Sequence, residues 1–153
     1  PQGGGLSDMP SLSASRPLEV AGRLWSTLQA RDWAAARRLL DDDLQATWWA
    51  TGERFSGADA FIEANARYPE GWTIFVIDIS LLLDGRVLCI VRVDHPPHRF
   101  FATSLCRVDE RGLIVHIEEF WATVASPPDW RSPERLAGCL RFDTASDPRA
   151  RRP

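Results

Sequence analysis

His116-Ile117-Glu118-Glu119-Phe120-Trp121 closes a run from Thr73 to Val124 that reads as four β-strands, and the fold is decided there. Side chains of a strand alternate between two faces. Ile117, Glu119 and Trp121 therefore share the face that Leu113 and Val115 mark as core, while Glu118 points the other way. A carboxylate among apolar neighbours is costly to bury without a partner or a purpose. Glu119 is for that reason the first candidate for a functional residue.

The strands before it carry matching inner sets. These are Phe100, Ala102, Ser104 and Cys106 in one, and Val87, Cys89, Val91 and Val93 in the next. In the first strand of the run the apolar parity is Thr73, Phe75, Ile77, Ile79 and Leu81, with Asp78 and Ser80 opposite. Asp84-Gly85 and Asp109 to Gly112 are turn signals, and His95-Pro96-Pro97-His98 makes the remaining loop. Keeping inner faces together across the last turn pairs Val108 with Leu113, and so Ser104 with Ile117, Ala102 with Glu119 and Phe100 with Trp121. The His-Pro-Pro-His loop pairs Asp94 with Arg99 on the outer face and Cys89 with Ser104 on the inner one. The expected floor is Glu119 and Trp121, ringed by Phe100, Ala102, Ser104, Cys89, Val91 and Ile79.

Upstream the pattern turns helical. Pro17 suits a first helical turn, and Leu18, Ala21, Leu24, Trp25 and Leu28 fall at helical spacing. Asp32 is placed to cap a second helix from Trp33 to Leu40, which stops in Asp41-Asp42-Asp43; this acidic run reads as a solvated turn rather than a metal site. Leu44 to Ala50 and Glu53 to Phe55 are short strands, with Trp48 and Trp49 on opposite faces, so that one of the pair lines the interior. Ser56-Gly57-Ala58-Asp59 has capping-box spacing and opens a third helix to about Arg67, with Phe61, Ile62 and Asn65 inward. Residues 1–15, rich in Gly, Ser and Pro, are expected to be disordered, and residues 16–131 to form one folded domain. Residues 132–153 read as an Arg-rich solubilising tail (Arg135, Arg141, Arg149, Arg151, Arg152), with a short helix around Pro133 to Leu140 at most.

Composition narrows the function classes. A chain of 153 residues with 44% hydrophobic and 25% charged residues is one globular domain's worth. A net charge of −3 argues against nucleic acid as a partner, and no apolar run approaches the roughly 18 residues that cross a bilayer. Cys89, Cys106 and Cys139 show neither disulfide-framework nor CxxC spacing, and no apolar leader precedes the first helix, so a reducing, cytoplasmic location is expected. His95 and His98 lack the third and fourth ligands that a metal site needs; no metal and no cofactor is expected.

Thr51-Gly52-Glu53-Arg54-Phe55-Ser56-Gly57 before the third helix, Arg111-Gly112-Leu113-Ile114 entering the last strand, Glu119-Phe120-Trp121 within it and Pro127-Pro128-Asp129-Trp130-Arg131 after it resemble, in this order, the nuclear transport factor 2-like superfamily. Within it the chain is most similar to the SnoaL-like polyketide-cyclase branch, over roughly residues 17–131. The resemblance implies an α+β, cystatin-like cone: three N-terminal helices packed on a curved antiparallel sheet of about six strands, with a pocket at one end. It also implies a homodimer through the outer sheet face. Isomerases, cyclases, dehydratases and epoxide hydrolases share this fold, so it does not settle the activity. The isomerase pattern of an Asp base with Tyr and Asp oxyanion donors is not met, since Tyr68, the sole tyrosine, lies before Pro69. The epoxide hydrolase Asp-Arg-Asp set is not met either, because Asp94 and Arg99 fall outside. The acidic residue of the polyketide cyclases has a counterpart in Glu119.

The candidate site is then Glu119 as acid or base, raised toward neutrality by desolvation beside Trp121 and Phe100, with His98 on the inner parity near the rim as a proton-transfer partner. Trp25, Trp49 (or Trp48), Phe55, Tyr68, Phe100, Ser104 and Trp121 are the candidate ligand-binding residues. The competing role for Glu119 is structural: it pairs with a buried arginine, Arg54 or Arg131, or caps backbone groups, and so holds the cone together. The expectation is a pocket for a small hydrophobic molecule, serving a cofactor-free isomerase, cyclase or hydrolase. The alternative is a non-catalytic ligand-binding or dimerisation module of the same fold.

Overall fold

The structure is a computed structural model that describes residues 11–153, with side chains from residue 15 onward. Of the segment expected to be disordered, residues 1–10 lie outside the described residues, while Ser11 already begins a helix. In chain order the elements are α1 (Ser11–Gln29), α2 (Trp33–Arg38), β1 (Leu40–Trp48), β2 (Glu53–Ser56), α3 (Ala58–Arg67), β3 (Thr73–Leu81), β4 (Val87–His95), β5 (His98–Val108) and β6 (Ile114–Thr123). Pro17 therefore sits inside α1 rather than in its first turn. The buried positions of α1 are nonetheless the expected ones, Ala21, Leu24, Trp25 and Leu28, joined by Val20. Asp32 caps α2 by accepting from the Ala35 N–H at 3.0 Å. The capping box does not form: Gly57 holds the N-cap of α3 without a side-chain bond, and the Ser56 hydroxyl donates to Gln45 Oε1 instead.

The strands form one six-stranded sheet in the order β2-β1-β6-β5-β4-β3. All neighbours are antiparallel except β1 and β6, which run parallel because the chain crosses from one to the other through the rest of the fold. Helices α1 and α3 pack on β3 and β1 respectively, so that the concave face and the helices share the core. Asp41, Asp42 and Asp43 belong to β1 rather than to a turn, because arginines elsewhere neutralise the first two. Arg111 pairs with Asp41, and Arg37 pairs with Asp42 at 2.6 Å.

Two β-bulges reset the expected register. Between Val76 and Asp78 an extra residue enters β3, so Ile74 and Val76 face inward with Ile79, while Thr73 and Phe75 face outward. A second irregularity, near Val108 and Ile114, buries Ile114 and slides β6 by two residues against β5. Ser104 thus stands opposite Glu119 and Ala102 opposite Trp121, in place of the expected pairings with Ile117 and Glu119. The inner parity of Ile117, Glu119 and Trp121 survives because the slide is an even number of residues. The β4–β5 pairing is as expected, with Asp94 opposite Arg99 and Cys89 opposite Ser104.

The C-terminal residues do not hang free as a solubilising tail. After a short 3-10 turn at Asp129–Arg131, the chain turns irregularly without the expected helix and then crosses the outer face of β4. There Arg92 Nη1 donates to the Ala145 carbonyl at 3.1 Å, and Arg99 Nη1 donates to Thr144 Oγ1 at 3.0 Å. The chain next bridges the free edge of β3, where Val76 and Arg151 exchange backbone bonds of 2.8 and 3.0 Å. The sequence reading missed this because the anchoring partners are backbone carbonyls and one hydroxyl, which leave no mark in composition. Among the described residues no helix is long and apolar enough to cross a membrane.

Candidate functional site

The sheet curls over α1 and α3 and leaves a cavity of about 370 Å³ at the end where β1 and β6 finish and β5 begins. Its wall is aromatic, with Trp25 from α1, Trp48 from β1, Phe100 from β5, Trp121 from β6, and Tyr68 and Trp72 from the segment between α3 and β3. Leu28, Ile74 and Val93 fill between them, and Glu119 lies in the lining, as do Asn65 and Thr123. The question of which tryptophan enters is settled by position: Trp48 lines the cavity, while Trp49 is 51% exposed, stacked on Phe120 outside, with its Nε1 donating to Glu118.

Glu119 is 3% exposed and has no cationic partner among the described residues. Neither arginine proposed as its partner is used in that way. Arg54 Nε donates to Thr47 Oγ1, and Arg131 stacks on the exposed Trp130. The carboxyl instead accepts one well-formed bond from Trp121 Nε1 at 3.0 Å. Trp48 and Ser104 approach it closely enough to favour its charged form, although the Trp48 N–H does not reach hydrogen-bond geometry and is left without a partner. Desolvation outweighs these donors and pushes the Glu119 carboxyl above its ordinary value. The parallel β1–β6 pairing places Trp48 beside Glu119, and β5 places Ser104 on the other side.

The remaining candidates divide. Trp25, Tyr68, Phe100 and Trp121 line the cavity with Glu119. Ser104 stands behind Glu119 in the next strand. Phe55 braces Trp48 from outside the lining, edge to face at 4.6 Å between ring centroids. His98 keeps the inner parity of Phe100, yet it is exposed at the hairpin tip and borders a separate shallow surface hollow with Pro96 and Pro97. It does not meet Glu119, because β5 begins beyond the cavity rim.

Sequence reasoning weighed His95 only as a metal ligand, whereas it meets Tyr68 at the mouth: Tyr68 Oη and His95 Nδ1 are 3.0 Å apart. A histidine ending a strand beside two prolines gives no signal of its own. Trp72 is capped by the Arg31 guanidinium, 3.3 Å from its ring centroid, and its own N–H is buried without a partner. Cys89 and Cys106 are buried free thiols, pushed up to about 11 and about 12 by burial, which makes them apolar packing groups rather than nucleophiles. Among the described residues no three His, Cys, Asp or Glu side chains gather to hold a metal.

An α+β cone whose curved sheet wraps a buried acid is a recognisable architecture. No family model and no curated protein matches the chain, but solved structures do. One is a candidate ketosteroid isomerase from Kribbella flavida, 24% identical over 84% of this chain and 93% of the other, with a TM-score of 0.72. A second is an LEH-like epoxide hydrolase from M. tuberculosis, 20% identical over 71% and 84% of the two chains, TM-score 0.59. A third is a candidate SnoaL-like polyketide cyclase from Shewanella denitrificans, 11% identical over 69% and 90%, TM-score 0.59. The chain has the fold of the nuclear transport factor 2-like superfamily, as the sequence resemblance implied.

Proposed function

We propose that the protein binds a small apolar molecule in the cavity and transforms it by cofactor-free acid–base chemistry at Glu119, as an isomerase, cyclase or hydrolase. The observation that carries this reading is a carboxyl 3% exposed, free of any cation among the described residues, in the wall of an aromatic cavity of about 370 Å³. A structural acid would be locked to arginine; this one is not. Burial pushes the carboxyl above its ordinary value, which suits a group that donates a proton to an acceptor oxygen deep in the cavity. The carboxylate left behind would be held by the Trp121 N–H, with Trp48 and Ser104 beside it, until the proton returns. The lining offers no lysine or arginine, which disfavours anionic ligands and Schiff-base chemistry alike. That the solved structures with this fold include a candidate isomerase and an epoxide hydrolase supports the reaction classes.

A second reading, a ligand carrier without chemistry, is favoured by one observation: His98, the expected proton-transfer partner, lies outside the cavity. One experiment separates the two. Thermal shift against a panel of apolar ketones and epoxides selects binders, and turnover of those binders is then followed for wild type and Glu119→Gln. Binding by both proteins with turnover only by wild type is expected. Turnover retained by Glu119→Gln would remove Glu119 from the chemistry, and a panel without binders would remove the cavity.

The free thiols suit a reducing compartment, and we place the protein in the cytoplasm on that ground. The part of the outer face left bare by the C-terminal residues, around the stacked Trp49 and Phe120, is where a second copy would dock to form a homodimer.

A further inference from the structure

Tyr68 follows α3 and is 42% exposed where the cavity opens, at the outer end of a lining whose inner end is Glu119. Its hydroxyl is not free to choose a role. His95, at the end of β4, sets its Nε2 at 3.1 Å from the Glu70 carbonyl oxygen, which can only accept. The Nε2 atom must therefore carry the proton, and in the neutral ring Nδ1 is then bare. The 3.0 Å contact to Tyr68 is consequently an O–H donation from tyrosine to histidine. Packing enforces this arrangement. Gly71 has φ +114°, and a Cβ there would stand 3.3 Å from both Cδ2 and Nε2 of His95, so the absence of a side chain lets the ring reach the carbonyl. The rings of Tyr68 and His95 also meet edge to face, 5.3 Å between centroids.

We propose that His95 is a positioning residue that fixes the Tyr68 hydroxyl as a hydrogen-bond acceptor at the cavity mouth, so that the preferred ligand is an apolar molecule with a donor, such as an alcohol, at its outer end. This rests on the reading of the cavity as a binding site, and it adds a polarity to that site. The inner end presents the Glu119 carboxyl, and the outer end presents an oxygen lone pair to a hydroxyl. A hydroxy-ketone with an apolar body fits both ends.

The polarity reverses when His95 takes a second proton. Nδ1 then donates to the phenol oxygen, and the phenol hydrogen turns away and becomes available to the ligand. The groups around His95 are the Glu70 carboxylate, itself paired with Arg31 at 2.9 Å, and His98 across the β4–β5 hairpin. Asp94 is next in sequence but is turned to the outer face, where it holds Arg92 and Arg99.

The test uses two probes that stay neutral throughout, 4-(hydroxymethyl)acetophenone and its methyl ether, which lacks the donor. Their affinities are measured by calorimetry from pH 5 to 8.5, together with the His95 tautomer by nitrogen-detected correlation spectra, assigned by the signal lost in His95→Gln. At pH 8.5 wild type is expected to show the Nε2–H tautomer and to prefer the alcohol by about fivefold, the worth of one hydrogen bond. Tyr68→Phe abolishes it at every pH. His95→Gln, whose amide offers both an N–H donor and a carbonyl acceptor, keeps it. An Nδ1–H tautomer, equal affinities in wild type, or a preference that persists in Tyr68→Phe overturns the proposal while leaving the cavity intact. Failure of both probes to bind wild type overturns the cavity reading and this proposal with it.

Discussion

Two ionisable groups lie buried on opposite faces of one sheet, and they are treated in opposite ways. Arg92, on the outer face, is 4% exposed and fully provided for. Its Nε donates to Asp94 at 3.0 Å, its Nη1 donates to the Ala145 carbonyl, and its guanidinium lies 4.2 Å from the Phe75 ring centroid. Glu119, on the inner face, is 3% exposed and meets indole N–H groups and a serine, with no opposite charge. A buried charge needs a partner or it neutralises itself. The fold supplies the partner for Arg92 and withholds it from Glu119. The difference marks Arg92 as part of the architecture and leaves Glu119 as the group on which the proposed chemistry depends.

The largest effect should come from breaking the outer arrangement. Asp94→Ala leaves the Arg92 guanidinium buried against a carbonyl and a ring, with Arg99 keeping only its 3.4 Å pair with Asp143, and is expected to cost about 3 kcal/mol in urea unfolding. A loss below about 1 kcal/mol would mean that Arg92 is not truly desolvated. Glu119→Gln should behave in the opposite sense. The Glu119 carboxyl titrates above its ordinary value of 4.5 in the folded chain. Between the unfolded and folded values the folded chain keeps a proton that the unfolded chain has released. Its contribution is therefore complete below about pH 4.5 and is lost as the pH rises through the folded value. Glutamine has no such loss, so the stability curves of the two proteins should diverge with rising pH in favour of the variant. Parallel curves would show that Glu119 has an ordinary carboxyl. Smallest of all, Trp49→Ser on the exposed outer surface should alter monomer stability by no more than about 0.5 kcal/mol.

The inner side of this comparison was legible in the sequence and the outer side was not. Alternation assigned Ile117, Glu119 and Trp121 to one face, and desolvation of Glu119 followed from its neighbours. The neighbours themselves were partly misplaced, because a bulge is a backbone event without a compositional mark. The row containing Glu119 runs through Ser104, Cys89 and Ile79 instead of Ala102, Val91 and Ile79. Arg92 gave no hint of burial, since its cover comes from Ala145, more than fifty positions away in the chain. The Tyr68–His95 contact escaped for the same reason, and His98 drew attention by parity alone although its strand starts past the rim. Local pattern reports which way a side chain points; it does not report how far along the cone the residue stands.

The backbone bridge between Val76 and Arg151 bears on how the molecule keeps to itself in a crowded solution. A sheet that does not close has two open margins, each a ready template for another chain's backbone. At one margin β2 is only four residues long and carries Glu53 and Arg54, a poor surface for stacking. At the other, β3 is nine residues of Thr, Ile, Phe, Val and Leu broken by one Asp and one Ser. There the segment around Arg151 is laid across the middle of the margin. A cut that released the segment around Arg151 would leave the concave face untouched while uncovering a long apolar strand, so that the first symptom of damage would be clumping rather than unfolding.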